Sequence, residues 1–464
     1  MDAADYLSRS SRNLRSSVET FTDEVEGELE KYSICGVHLT RKVTVPICAC
    51  LVLVAIVLGV SLGTKTGAPP PGAADVYTED HRYWSLGETI ESSVGSEIFE
   101  EGTSENRALH WLAEEDPRQL PVTSTMEDIL ERFILANFYF ATNGPAWKKQ
   151  FDFLSEKDVC DWNDGGKGGV QDSGVFCIDG KVRKLNFNEN GLSGTISEDI
   201  GLLSNTREFR VEGNAIEGTI PKSFGLMREL LGLNLHNNKI HGIFPQSLAT
   251  LKQLEVAKFS NNRLEGLDGI GIWKQLPNLQ VIHLFNNTLT GRLGDWGDIP
   301  QLQILNIANN QITGTIPPNF GVDKELQRVD LGNNLIRGSI PPEFFSSLSP
   351  ISFLNLGNNE LTGTVPPTVS DMALLKQLYL NDNNMYGNLP ESISIMTNLN
   401  ILDISATQIG TDVESILCSQ NKVWQTLRAD CLKVGSSASC ATECCHPDGY
   451  CCDMMGQTAC EVPP

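Results

Sequence analysis

Leucine and isoleucine alternate with polar residues in a short pattern that recurs along the middle of the chain. One copy places Leu302, Leu305 and Ile307 ahead of Asn310, with Ile312 after it. Alternation with a period of two predicts a strand that buries one face. The asparagine that follows predicts a turn, because Asn tolerates turn backbone and its amide can pair with free backbone groups.

The asparagine returns at intervals of 23 to 25 residues, and self-similarity at this period indicates a solenoid. Each copy reads L-x-x-L-x-L-x-x-N-x-L-x-G, and one repeat cannot bury its apolar face without neighbours. We therefore predict a buried ladder of hydrogen-bonded amides. The ladder consists of Asn190, Asn214, Asn238, Asn262, Asn287, Asn310, Asn334, Asn359 and Asn383.

Several copies end in Gly-x-Ile-Pro, as in the Gly-Thr-Ile-Pro of residues 314–317. With this ending the repeats resemble the plant-type leucine-rich repeats. The resemblance implies an α/β solenoid, a horseshoe or superhelix of about ten repeats over residues 181–411. The last copy carries Thr407 in place of the asparagine, which is typical of a terminal repeat.

Two helical patterns precede the repeats, over residues 104–115 and 125–141. Thr125 with Asp128 resembles a capping box, which predicts where the second helix begins. The two patterns predict a helical segment ahead of the first repeat.

The cysteine motifs Cys160-Asp-Trp and Gly-Val-Phe-Cys177 follow these helices. This order resembles the N-terminal cap of plant-type repeat proteins, and the helical motifs resemble the membrane-anchored repeat proteins abundant in diatoms. The resemblance implies a helical cap over 104–180 and a disulfide between Cys160 and Cys177. A glycine-rich insertion at 165–169 departs from the family spacing.

Residues 43–64 carry no charge and are long enough to cross a bilayer core of about 30 Å. Arg41 and Lys42 precede them, so the positive-inside rule favours a cytoplasmic N-terminus. We predict a disordered cytoplasmic tail over 1–42, a transmembrane signal-anchor helix over 43–64 and an acidic stalk over 65–103. A helix buried in a protein core is the alternative for 43–64.

Ten of the 13 cysteines follow the predicted span, and eight of these lie between residues 412 and 464. An even number of cysteines around a repeat domain indicates disulfides and an oxidising compartment. We predict a cysteine-rich C-terminal cap over 412–464 that is held by disulfides. Zinc is the alternative, but the segment has no C-x-x-C pair.

The net charge of −23 argues against a nucleic-acid partner, which requires a basic surface. The sequence also has no metalloprotease, P-loop, nucleophile-elbow or kinase signature, so we predict neither an enzyme nor a cofactor or metal site.

The polar positions beside the strand leucines predict a concave face, where an aromatic cluster could contact a ligand. Plain solvated surface is the alternative. Asn286 begins an N-glycosylation sequon beside this cluster. The candidate ligand-binding residues are His236, His283, Phe285, Phe353 and Tyr379.

These observations predict a single-pass membrane protein. Its cysteines favour a location of the repeats outside the cell, and we expect its anchor in the plasma membrane. Its expected role is receptor-like or co-receptor recognition of a protein, peptide or glycan, with a possible membrane co-receptor as partner. A structural or adhesive surface protein, or an inhibitor of secreted hydrolases, is the alternative.

Overall fold

The structure is a computed structural model whose described residues all belong to one unit, Asp75–Pro464. It describes residues 78–169, 172–267, 270–294, 296, 299–321, 325–410, 416–417, 424–430, 443–445 and 451–453. Of these, only the backbone is described for residues 78–80, 270, 430, 443–445 and 451–453. The predicted tail and membrane span therefore lie outside the described residues, as do the side chains of the C-terminal cysteines.

In the part of the chain that the structure describes, three helices lie in the N-terminal segment and two short ones lie among the repeats. They are α1 (Thr78–Val94), α2 (Ser104–His110), α3 (Met126–Ala141), α4 (Ile270–Trp273) and α5 (Pro342–Ser346). A π-turn at Trp111–Glu115 continues α2. Tighter 3₁₀ turns occupy Ser96–Phe99, Gly144–Ala146, Val159–Asp161, Glu198–Leu202, Lys222–Leu226, Gln246–Thr250, Pro367–Asp371 and Glu391–Ile395.

The described residues contain 24 strands, most of them three residues long. They are β1 (Gly174–Ile178), β2 (Lys181–Asn186), β3 (Ser193–Thr195), β4 (Glu208–Arg210), β5 (Ala215–Glu217), β6 (Gly232–Asn234), β7 (His241–Gly242), β8 (Val256–Lys258), β9 (Arg263–Leu264), β10 (Val281–His283), β11 (Thr290–Arg292), β12 (Ile304–Asn306), β13 (Gln311–Thr313), β14 (Arg328–Asp330), β15 (Arg337–Ser339), β16 (Phe353–Asn355), β17 (Glu360–Gly363), β18 (Gln377–Tyr379), β19 (Asn384–Gly387), β20 (Ile401–Asp403), β21 (Gln408–Ile409), β22 (Thr426–Asp430), β23 (Glu443–Cys445) and β24 (Cys451–Asp453).

One long sheet organises the repeats, as the alternating pattern predicts. Its 14 strands run in the order β1-β2-β4-β6-β8-β10-β12-β14-β16-β18-β20-β22-β23-β24. All neighbours are parallel except at the two ends, where β1 pairs with β2 and β23 with β24 in antiparallel fashion. Because β22 pairs with β20, the sheet extends past residue 411 into the segment predicted as the C-terminal cap.

The strand leucines pack into a continuous core between this sheet and the second, shorter strands of the repeats. Leu305, for example, pairs in register with Ile282 and Val329, and all three are fully buried. The second strands form smaller parallel sheets, of which β15-β17-β19-β21 is the largest described. The leucine-rich-repeat solenoid predicted from the sequence is therefore present.

From Asn214 onward, each ladder asparagine joins its own turn to the preceding coil. The Asn310 amide nitrogen donates to the carbonyl oxygens of Ile307 (2.9 Å), Ala308 (3.1 Å) and, one coil back, Leu284 (3.1 Å). Its side-chain oxygen accepts from the Leu289 N–H of that coil at 3.0 Å. The same pattern recurs at the neighbouring ladder positions, so backbone groups of adjacent coils share one side chain.

Burial along the ladder is less uniform than predicted. Asn190, Asn334, Asn359 and Asn383 are buried, whereas the five asparagines between Asn190 and Asn334 are half-buried. Every coil nevertheless makes the same turn, because the residue before each ladder position has left-handed backbone. These residues are Glu189, Gly213, Asn237, Asn261, Asn286, Asn309, Asn333, Asn358, Asp382 and Ala406. Asparagine and glycine adopt this conformation at low cost, which explains the Asn-Asn pairs.

The N-terminal segment differs from the prediction in one respect. The predicted extended stalk, 65–103, is wrong from residue 78 onward, because α1 and the turn after it pack into the core. Leu86, Ile90 and Ile98 are buried there. The four-residue spacing of Leu86 and Ile90 is helical, but the surrounding acidic residues obscure it in the sequence.

Aromatic residues cover the first coil of the solenoid. Phe138 of α3 lies 5.3 Å from Phe187 and 6.1 Å from Phe209, measured between ring centroids. Asn190 continues the ladder into this segment, since its side chain accepts from Lys149 N–H at 2.8 Å and donates to Lys149 oxygen at 3.0 Å. Cys160 and Cys177 form a disulfide at the same end.

A buried ion pair holds the segment together internally. Arg132 of α3 pairs with Asp116, and both side chains are almost fully buried. The guanidinium carbon lies 5.1 Å from the Trp111 ring and 4.9 Å from the Trp162 ring. Arg132 also donates to the backbone oxygen of Ser155 at 2.6 Å, so the charge is satisfied without water.

We predict that Asn310→Leu destabilises the solenoid. The substitution removes the side chain that hydrogen-bonds the Leu284 oxygen and the Leu289 N–H. Each buried group left without a partner lowers the free energy of unfolding by about 1–3 kcal/mol. The melting temperature of the purified protein should fall. Asn384→Leu is the control, because Asn384 is exposed beside a ladder asparagine. Equal melting temperatures for the two variants would contradict the role of the ladder.

We also predict a pH-dependent stability that arises from Glu131 of α3. Burial raises the pKa of this carboxyl from 4.5 to about 7, with smaller increases from Glu127 and Asp128; Val182 N–H and Lys181 oppose them. The folded protein therefore retains a proton that the unfolded chain releases, and the free energy of unfolding falls as the pH rises from about 4.5 to about 7.

Glu131→Gln should remove this dependence. At pH 8 the variant should be more stable than the parent by on the order of 2–3 kcal/mol, and near pH 4.5 the two should match. Denaturant unfolding at both pH values measures the difference. Glu88→Gln, an exposed position in α1, should change neither value. A parent whose stability is flat across this range would refute the assignment.

Candidate functional site

The exposed face of the long sheet, called the open sheet face here, is the surface predicted to be concave. In β10 the side chain of Ile282 enters the core, while Val281 and His283 are half-exposed on the other side. After the buried Leu284, Phe285 returns to the open face. Each coil therefore contributes three positions to this face, and the parallel register places them in three columns across the strands.

Three predicted residues come together as a central cluster. The Phe285 ring lies 5.7 Å from His236 and 6.2 Å from His283, measured between ring centroids. The Asn261 amide lies 3.3 Å from the Nε2 atom of His236. These contacts fix an aromatic group in the middle of the sheet, across strands that are two coils apart.

Phe353 and Tyr379 form a second cluster further along the sheet. Their ring centroids are 5.6 Å apart, and the guanidinium carbon of Arg328 lies 3.4 Å from the Phe353 centroid. The Tyr379 hydroxyl donates to Gln377 at 3.4 Å. The five candidate residues therefore form two clusters on one face and not a single patch, because β12 and β14 separate them.

The sequence interpretation missed a third column of residues. Val256, Val281 and Ile304 are register partners on three adjacent strands, and each is half-exposed on the open sheet face. The second variable position of L-x-x-L-x-L directly precedes the middle strand residue, so a period of two would have placed it on this face. With the central cluster, these aliphatic side chains make one apolar area.

The apolar area, defined as Val256, Val281, Ile304 and Phe285 with the two histidines, bears few charges. The pKa of His283 is lowered from 6.5 to about 4, chiefly by burial and to a smaller extent by Lys258, His236 and Arg328. His283 is therefore neutral at physiological pH. A neutral imidazole offers one donor and one acceptor to a bound molecule.

Two aspartates on the same face have structural partners. The Asp330 carboxylate accepts from the Asn355 amide at 2.8 Å and from Gly332 N–H at 3.3 Å. Asp403 accepts from the Ser405 hydroxyl at 2.6 Å. Burial raises the pKa of both carboxyls, and these hydrogen bonds oppose the increase.

The glycine-rich insertion covers the first coil of the open sheet face. Asn186 donates to the backbone oxygen of Asp172 at 2.7 Å, and Lys184 donates to those of Gly168 and Gly169. Both side chains are buried, so this coil is not available to a ligand. The accessible face begins further along the solenoid.

Asn286, the predicted glycosylation site, is exposed on the turn that follows Phe285. Its amide donates to Asn261 at 2.6 Å, and the hydroxyl of Thr288 in the same sequon donates to Leu264 oxygen at 2.9 Å. Glycosylation there stays a prediction. A glycan at this position would lie beside the central cluster.

The described residues include no group of three or more His, Cys, Asp or Glu side chains placed to hold a metal ion. Within the same part of the chain, no helix has both the length and the apolar character needed to cross a membrane.

Two family models, both described as leucine-rich repeat, match residues 301–322 and 324–385. These segments contain the most regular copies of the repeat, and the fold shows the matching coils. Residues 301–322 and 324–385 are therefore leucine-rich repeats. Among curated proteins, no sequence matches this chain significantly.

Three solved structures are similar to about half of the chain. A TDR receptor is 31% identical, with 49% of this chain and 40% of that chain covered and a TM-score of 0.48. The PEPR1–AtPEP1 structure is 29% identical, with coverage of 51% and 36% and a TM-score of 0.47. A plant ice-binding protein is 22% identical, with coverage of 56% and 88% and a TM-score of 0.43. The chain spans less than half the length of the first two.

Proposed function

We propose that this protein recognises a protein or peptide ligand through the open sheet face. The observation that carries the proposal is the apolar area in the middle of that face. Aromatic and aliphatic side chains that are half-exposed and adjacent are typical of binding surfaces, because contact with a partner removes them from water. The rest of the face is lined mainly by short polar residues, which suit the rim of such a site.

Rigidity supports the same role. The strands that carry the apolar area are fixed by parallel pairing on both sides and by the ladder beneath. A preformed surface loses little conformational entropy when it binds, so more of the contact energy appears as affinity. Phe285 lies at the centre of the area and contacts both histidines, which makes it the expected hot spot.

The proposed setting is the cell surface. An uncharged segment at residues 43–64 is long enough to span a bilayer, and the basic pair before it favours a cytoplasmic N-terminus. The Cys160–Cys177 disulfide fits an oxidising compartment for the repeats. A membrane co-receptor through which the protein signals is part of the proposal.

We predict that Phe285→Ala weakens ligand binding by at least tenfold, because truncation of a central aromatic anchor costs on the order of 2 kcal/mol. The full-length chain, displayed on cells, is screened against secreted proteins and peptides, and the parent and variant are titrated with any saturable ligand. Tyr386→Ala is the matched control, since Tyr386 is an exposed aromatic residue on β19, which belongs to one of the smaller sheets and not to the open sheet face.

Two results would contradict this proposal. One is saturable binding that Phe285→Ala leaves unchanged, which would place recognition elsewhere. The other is retention by extracellular matrix alone, which favours an adhesive protein.

A second prediction concerns topology. Protease added to intact cells should remove a tag at the C-terminus and spare a tag at the N-terminus, because only the segment beyond residue 64 is expected outside. Permeabilised cells are the control, in which both tags should be cleaved. Protection of the C-terminal tag in intact cells would overturn the proposed orientation.

A further inference from the structure

Positive charge exceeds negative charge on the open sheet face around the apolar area, whereas it does not in the neighbouring coils. Strands β8, β10 and β12, with the residues that follow them, place Lys258 but no carboxylate on the open sheet face. This is unusual for a chain with a net charge of −23. Lys258 is half-buried, and among the described side chains its ammonium forms no ion pair.

Two further groups lie near Lys258 on this face, the neutral imidazole of His283 and the guanidinium of Arg328. His283 is the register partner of Lys258 on β10, and Arg328 follows on β14, beyond Ile304 of β12. Arg328 packs on Phe353 and approaches Asp330 no closer than 3.7 Å, so its donors are not saturated by a bidentate pair. Lys258 and Arg328 both act electrostatically on His283, which places the imidazole within the field of the two cations.

We propose that the centre of the open sheet face binds a carboxylate of the ligand against Lys258 and His283, with Arg328 adding to the positive field, while an adjoining apolar side chain packs on Val281, Ile304 and Phe285. The inference rests on the proposed function and specifies its ligand: an acidic group next to an apolar one. The carboxylate can belong to a side chain or to the end of a peptide.

A bound carboxylate changes the protonation of His283. The groups that face this imidazole are Lys258 on β8, His236 beside the end of β6, and Arg328 with Asp330 on β14. The one carboxylate among them, Asp330, is already held by Asn355, Gly332 and Arg328. A ligand carboxylate among them raises the pKa of His283 by roughly one to two units. The complex then takes up a proton that the free protein does not hold, so affinity rises as the pH falls.

Three small probes test the proposal on the full-length chain in a mild detergent. N-acetylphenylalanine carries a terminal carboxylate, N-acetyl-aspartyl-phenylalanine amide carries a side-chain carboxylate, and N-acetylphenylalanine amide is neutral. Histidine labelled with ¹³C reports binding by NMR, because the sequence has only seven histidines. His283→Asn and His236→Asn assign the two relevant signals.

We expect at least one acidic probe to shift the His283 signal with saturation and to bind at least fivefold more tightly than the neutral probe. Its affinity should be about two- to tenfold greater at pH 5 than at pH 7.5. Lys258→Gln should remove the preference for the acidic probe. Lys239→Gln, at an exposed position between β6 and β7, should not. The relative affinities of the two acidic probes distinguish a terminal from a side-chain carboxylate.

Three outcomes overturn the inference: equal affinity for acidic and neutral probes, an acidic preference that survives Lys258→Gln, or no effect of any probe on His283. Matching melting temperatures for the parent and Lys258→Gln exclude misfolding as the cause of lost binding. A different result would refute the proposed function: a saturable ligand whose affinity is unchanged by Phe285→Ala. A ligand that requires Phe285 but binds Lys258→Gln normally leaves that function intact and refutes the carboxylate site.

Discussion

The hydrogen bonds of the asparagine ladder are the constraint on which the rest of the structure depends. A coil that turns after three strand residues leaves backbone groups without partners, and their burial would cost more than the leucines gain. One amide per coil satisfies groups of its own turn and of the coil before it, as Asn310 does for Leu284 and Leu289. This shared pairing fixes the register of the strands and therefore the columns of the open sheet face.

The asparagine ladder cannot continue past the ends of the solenoid, so other contacts must replace it there. At the N-terminal end Asn190 pairs with the backbone of Lys149 in place of a preceding coil, and Phe138 covers the apolar edge. The glycine-rich insertion adds a second cover, since it binds Lys184 and Asn186 on the open face. The region available to a ligand is thereby displaced toward the middle coils, where the apolar area lies.

The chemistry of that area follows from its position on the sheet. Parallel pairing brings Lys258, His283 and Asn306 side by side, although about 25 residues separate each from the next in the chain. Burial and two nearby cations, Lys258 and Arg328, keep His283 neutral. The area therefore combines an apolar surface and a neutral imidazole with the positive charge of these two residues. This combination underlies the proposal that the ligand carries an acidic group beside an apolar one.

The sequence by itself determined the solenoid, because a period near 24 residues and alternation within it admit few other ways to bury the leucines. It also determined the ladder and the position of the five candidate residues on the open sheet face. Only the tertiary structure decided that these residues form two clusters, that Val256, Val281 and Ile304 complete one of them, and that α1 packs where a stalk was expected. The physical reason is that these features depend on contacts between coils and between distant segments, whereas a local pattern fixes only which side of a strand or helix a residue faces.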